Sequence, residues 1–166
     1  MKKWLYIVSI MLVITTASPV WSIDRIAVVN ITNIFQQSPQ RATVAKELEE
    51  EFKDRVTELQ CMERDLQSKT QKLQNTGNDM NPQERKELEQ SLMIQREKFS
   101  SKIQSFEQDN HRRQTEERHK ILSQIHEIVR NIAHQEEYDI VIDISALAYF
   151  NPSKDITNSV LAQVVK

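Results

Sequence analysis

Between Pro39 and Pro152 the chain holds one glycine, Gly77, and one proline, Pro82, and the two stand five residues apart. The sequence on either side is rich in Glu, Gln, Lys, Arg and Leu, all good helix formers. Turn chemistry is confined to that short stretch, so the chain reads as two very long helices joined by one reversal. A hairpin of this kind builds no wide globular core. Its purpose must lie in what the arms or their base can hold.

The first helix starts with Ser38 as its cap and Pro39 in the first helical position, and runs to about Asn75. Val44, Leu48, Phe52, Val56, Leu59, Met62, Leu66 and Leu73 recur at steps of three and four, with Lys69 in the one skipped place. Such spacing draws a single apolar stripe along one face, the seam for a partner helix. Gly77 reads as the left-handed residue that ends a helix. Asn81, Pro82 and Glu84 restart one as cap, first position and third position of a capping box.

The second helix, over about 82–136, would be roughly 80 Å long. Its stripe is Leu88, Leu92, Phe99, Ile103 and Phe106, and a reversal near Asp79 sets Phe106 against Phe52 and Leu92 against Leu66. From Glu107 to Lys120 there are then fourteen residues without one apolar side chain. Packing opposite that stretch should be loose, so the arms can splay or flex at their root. Pairs such as Arg112–Glu116 and Arg113–Glu117 at i, i+4 offer an alternative account of the same residues as an ordinary charged helix. Apolar periodicity resumes at Ile121, Leu122, Ile125, Ile128, Val129 and Ile132.

Both ends of the chain carry β-rich runs. Ile26–Val29 reads as a buried strand, followed by a helical turn near Ile34 and Phe35. Asp139–Ile144 and Ala146–Phe150 read as two more strands. Asp155 would cap a closing helix to Val165, with Ile156, Val160, Leu161 and Val164 along one side. A sheet that small cannot hold a core alone. The expected fold class is therefore α+β: a long antiparallel helical hairpin, a coiled-coil arm, projecting from a small β body assembled between subunits. Residues 23–37 and 138–166 would form that body with its C-terminal helix, and 38–137 the arm, with its tip near 76–82.

Residues 1–22 stand apart. Lys2 and Lys3 lead an apolar run from Trp4 to about Thr16, and small residues follow up to Ser22. This is the pattern of a cleavable export signal, which leaves about 144 residues beginning near Ile23 and working outside the cytosol. Without Lys2 and Lys3 the 22 basic residues become 20 against 24 acidic ones, a net of about −4. Interspersed charges of both signs suit a solvated helical surface rather than a nucleic-acid binder. The single cysteine, Cys61, excludes a disulfide within the chain.

Enzyme signatures are scarce. One glycine leaves no phosphate loop or dinucleotide turn, because those need glycines for close backbone approach. His111, His119, His126 and His134 recur at spacings of 8, 7 and 8, more than about 10 Å of rise each, too far to share a metal. Glu116-Glu117-Arg118-His119 holds one Glu-x-x-His, whereas dimetal bundles need two with further carboxylates. A non-enzyme without cofactor or metal is expected. Lys102 and Arg113 lie three turns apart on one face, about 16 Å, with Arg112 adjacent. That cluster is either solvated surface charge or a seat for a phosphorylated lipid head group.

Several stretches together resemble the OmpH family of periplasmic chaperones. They are the lysines and Trp4 of the signal, Asp24 to Asn30, Phe35-Gln36-Gln37, Phe106 to Asp109 with Arg112-Arg113, and Glu116-Glu117-Arg118. Asp139 to Asp143, Ala148-Tyr149 and Lys154 to Thr157 complete the set. The resemblance implies a jellyfish-shaped homotrimer, with a β-barrel body and three hairpins around a cavity. It implies an ATP-independent holdase for unfolded outer-membrane β-barrel proteins in the periplasm. It also implies lipopolysaccharide binding at Lys102, Arg112 and Arg113, although Gln124 stands where the family has a further arginine. The better-known members are strongly basic at the arm tips, whereas residues 78–84 here contain no lysine or arginine. A structural coiled-coil spacer or adaptor of the cell envelope is the alternative reading.

Overall fold

The computed structural model describes residues 25–165, so the export signal expected over 1–22 lies outside the described residues. A short strand, β1 (Ile26–Val29), leads into helix α1 (Ile31–Gln37). The hairpin follows as α2 (Gln40–Thr76) and α3 (Pro82–Gln135), of 37 and 54 residues. Strand β2 (Ile140–Asp143) and a terminal helix α4 (Thr157–Val164) close the chain. The fold is therefore α+β, a long helical hairpin on a small mixed base.

The two stripes meet as the spacing requires. Phe52 and Phe106 pack edge to face with ring centres 5.6 Å apart, a favoured aromatic geometry. Leu66 and Leu92 are buried further along the seam. Lys69 fills the skipped apolar place by reaching across to Ser91 Oγ (3.3 Å) and Gln95 Oε1 (2.8 Å). A cation is tolerated in a half-buried seam when its ammonium hydrogens find acceptors and its stem covers apolar surface.

The base is built differently. Strands β1 and β2 pair in parallel, Ile26 beside Ile140 through Val29 beside Asp143, with the whole hairpin as the crossover between them. The lower half of α3 lies across this pair. Ile121, Ile125 and Ile132 join Ala27, Val29, Ile34, Ile156 and Val160 in one buried cluster. The second helix thus continues past the arm and forms the floor of the base. Asp155 Oδ1 accepts from Thr157 N at 2.8 Å, anchoring the start of α4, and Ile156 N donates to Val28 O at 2.9 Å.

Three local expectations are corrected. Ala146–Phe150 forms no strand: Asp143 accepts from Ser145 N at 2.8 Å and turns Ile144–Ala146 into a 3-10 turn. Among the described residues β2 pairs only with β1, and Tyr149 is left 83 % exposed. Ser38 does not cap α2. It ends α1, and its buried hydroxyl has no partner among the described residues. Gly77 is right-handed, with φ −62°, and the glycine is needed because a Cβ would collide with the carbonyl oxygen of Leu73. The left-handed residue is instead Glu137, φ 56°, where α3 turns into β2.

Asn81 does cap α3, accepting from Gln83 N at 3.0 Å, with Pro82 at the first position. Because the core under the arm is the Ile125 cluster, we expect Ile125→Ala (1 % exposed) to cost about 2–5 kcal/mol. Met93→Ala, at an exposed site, should stay within about 0.5 kcal/mol. Urea unfolding followed by circular dichroism separates the two, and equal midpoints would contradict this placement of the core.

Candidate functional site

Where the apolar stripe of α3 lapses, α2 and α3 part. Between the Phe52–Phe106 contact and Ile121 they enclose an open cleft of about 900 Å³. Val44, Leu48 and Phe52 of α2 face Phe106 and Ile121 of α3 across it. Phe35 of α1 closes its lower end. Two guanidinium groups, Arg41 from α2 and Arg118 from α3, each sit 5.2 Å from the Phe35 ring centre, within cation–π range. Arg41 also donates to Gln36 O at 3.2 Å.

Ion pairs take over from the missing apolar seam. Arg55 of α2 donates to Asp109 of α3 at 2.8 Å, and its guanidinium lies 5.7 Å from the ring centres of both Phe52 and Phe106. Arg113 of α3 donates across to Glu51 of α2 at 3.0 Å. Along its own helix Arg113 also reaches Glu116 (2.9 Å) and Glu117 (3.0 Å). Arg112 holds Glu116 at 2.9 Å and Asp109 at 3.4 Å. Lys120 holds the buried Glu117 at 2.7 Å. The two i, i+4 pairs anticipated from spacing are therefore present, and they are tied into a lattice that spans both helices.

The electrostatics follow from those contacts. The hydrogen bond from Lys120 holds Glu117 below the usual carboxylate range, against the opposing effect of desolvation, and Arg113 adds to it. Arg113 and then Arg112 lower Glu116; Arg55 and then Arg112 lower Asp109. The Glu51, Glu116 and Glu117 carboxylates raise Arg113.

Arg112 and Arg113 converge on Glu116, while Lys102 stands three turns nearer the tip, joined to Glu58 of α2. Each member of the basic cluster thus already holds at least one carboxylate. No group of three or more His, Cys, Asp or Glu side chains able to hold a metal occurs among the described residues. Cys61 is exposed, with Arg64 Nη2 3.4 Å from its sulfur. Sequence reading assigned no role to Arg41, Arg55 or Arg118. Each is one cation among many in a charged helix, and only the folded hairpin shows which of them meets an aromatic ring.

A helical clasp with an open root, paired cations and a small base is a binding architecture. Residues 25–164 match the model of the family described as "Outer membrane protein (OmpH-like)". Chaperone protein Skp of Blochmanniella pennsylvanica is 58 % identical over 165 residues, covering 99 % of each chain. Skp of Pectobacterium atrosepticum is 55 % identical over 164 residues, and that of Escherichia coli K12 is 44 % identical over 167, again with 99 % coverage of both chains. A crystal structure from Caulobacter crescentus, described as a candidate OmpH-like outer membrane chaperone, superposes with TM-score 0.72 over 84 % of this chain and 83 % of that one. It shares 14 % identity, so it speaks for the fold. The chain belongs to the OmpH-like family.

The pH response of the lattice has a definite sign. Carboxylates with lowered folded values contribute fully above the ordinary carboxylate range, and that contribution is lost as pH falls through their folded values. We expect the thermal midpoint to fall below about pH 4, and to fall less steeply in Glu117→Gln. Circular dichroism melts at a series of pH values test this, and parallel slopes would show Glu117 to be uncoupled from folding.

Proposed function

We propose that this chain is an ATP-independent periplasmic holdase that keeps unfolded outer-membrane β-barrel proteins from aggregating before insertion. The observation that carries the reading is near full-length identity to Skp chaperones on a hairpin-and-base fold. It is a non-catalytic role. Binding an unfolded chain needs surface and shape rather than a nucleophile–base pair, and the arms supply long faces with exposed apolar side chains such as Met93 and Ile94.

The working unit in this proposal is a homotrimer. A two-stranded parallel sheet is marginal by itself, and the outward side chains Ile140 and Tyr149 are exposed on one copy. Strands from further copies would cover them. Export through the signal at 1–22 completes the assignment to the periplasm.

The test is dilution of a urea-unfolded β-barrel protein into buffer, with and without the purified chain and without nucleotide. Light scattering should stay near baseline at a molar excess of trimer, and native mass spectrometry should find three chains with one client. A structural spacer of the envelope would leave aggregation unchanged, and that result would sink the proposal.

Lipopolysaccharide contact at Lys102, Arg112 and Arg113 is part of the same proposal, resting on the family resemblance. Phosphates there must compete with Glu51, Glu58, Glu116 and Asp109, so binding should be weak and strongly salt-dependent. We expect Arg112→Gln with Arg113→Gln to weaken it and Glu51→Gln to strengthen it. Surface-immobilised lipopolysaccharide gives the readout, and indifference to all three substitutions would remove the site.

A further inference from the structure

We propose that the cleft at the root of each hairpin binds an acidic, apolar segment of an unfolded polypeptide. An aromatic or aliphatic side chain would be seated between α2 and α3, with a neighbouring carboxylate on Arg41 or Arg118. This deepens the chaperone reading and rests on it.

Charge argues first. Arg41, Lys53 and Arg118 line the cleft against one carboxylate, Glu49, in a chain whose formal net charge is −2. Lys53 is turned to Glu50 at 3.3 Å. Elsewhere along the root, Arg55, Arg112 and Arg113 are held by carboxylates. Arg41 and Arg118 have no carboxylate partner among the described residues, and their recorded contacts are with the Phe35 ring and the Gln36 carbonyl. Both guanidiniums lie 5.2 Å from the Phe35 ring centre, one carried by each arm helix, and each offers a carboxylate the charge-assisted hydrogen bonds at which arginine excels.

Shape and polarity argue next. About 900 Å³ falls within the range of pockets that enclose ligands, roughly 300–1,000 Å³. Its apolar lining presents the half-buried Val44, Leu48 and Phe106 beside the buried Phe52 and Ile121. The wall also carries the amides of Asn110 and Gln114, joined to each other at 3.1 Å with further donors and acceptors to spare. Peptide N–H and C=O groups need such partners when they leave water, whereas a lipid chain does not. The combination favours a polypeptide over an anionic lipid.

The probe is a short fluorescein-labelled peptide with leucine and phenylalanine flanked by aspartates, titrated with the full exported chain and read by anisotropy. Arg41→Gln with Arg118→Gln should weaken binding about tenfold or more, about 1.4 kcal/mol, as should replacing the peptide's aspartates with asparagine. Leu48→Trp, which fills the cleft without touching charge, should do the same, with circular dichroism confirming an unchanged helix signal. Equal binding by wild type and both variants overturns the proposal. So does binding of phosphatidylglycerol vesicles, but not of the peptide, that depends on Arg41 and Arg118. If the peptide fails while wild type still suppresses aggregation of a β-barrel client, the cleft assignment falls and the chaperone reading stands. If wild type fails to suppress aggregation, the chaperone reading falls instead.

Discussion

One continuous helix has to satisfy two unlike partners, and the rest of the structure depends on how it does so. The 54 residues of α3 serve as half of an arm at one end and as the floor of the base at the other. In the arm, Leu92 and Phe106 meet α2; in the base, Ile121, Ile125 and Ile132 meet β1, α1 and α4. At about 100° per residue, Ile121, Ile125 and Ile132 lie roughly 60–100° round the helix from Phe106, so the two faces do not run on as one stripe. The polar residues 107–120 are the interval in which one face gives way to the other, and the open cleft is its spatial consequence.

An interval without apolar packing would come apart unless something else bridged it. The lattice of Arg55, Arg113, Glu51, Asp109, Glu116 and Glu117 provides that bridge with directional contacts rather than buried area. Exposed ion pairs contribute little individually, and networks with shared, bidentate arginines contribute more. Such a bridge holds the helices at a set separation without filling the space between them. Salt bridges on one edge and the half-buried Val44, Leu48 and Phe106 on the other are what make the root of the arm a place where a ligand can sit.

The arm was legible because its evidence is periodic. Phe52, Leu66, Leu92 and Phe106 follow a fixed helical spacing, and the scarcity of glycine and proline leaves one place to reverse. The base was less legible. Ala146–Phe150 has the composition of a strand, but composition cannot supply a pairing partner, and the described residues offer none beyond β1 for β2. Ser38 and Gly77 misled for a related reason. Each has the residue type of a cap, yet Ser38 is claimed by the end of α1, and Gly77 is required by the close approach of Leu73 rather than by a left-handed turn. The cleft residues escaped because Arg41, Phe35 and Arg118 come from three separate elements, and no spacing rule joins them.

The charge pattern separates two ways of holding an unfolded chain. A basic tip gathers acidic polypeptide by long-range attraction, which screening weakens beyond roughly 8–10 Å at physiological salt. Residues 78–84 lack lysine and arginine here, so that route is reduced at the far end of the arm. At the root, Arg41 and Arg118 stand without a carboxylate partner among the described residues, beside partly exposed apolar side chains. A short-range contact of that kind combines one carboxylate with one apolar side chain, so it selects by local sequence rather than by net charge. Clients would then be retained through their acidic, apolar segments near the base, while the tips serve mainly to enclose them.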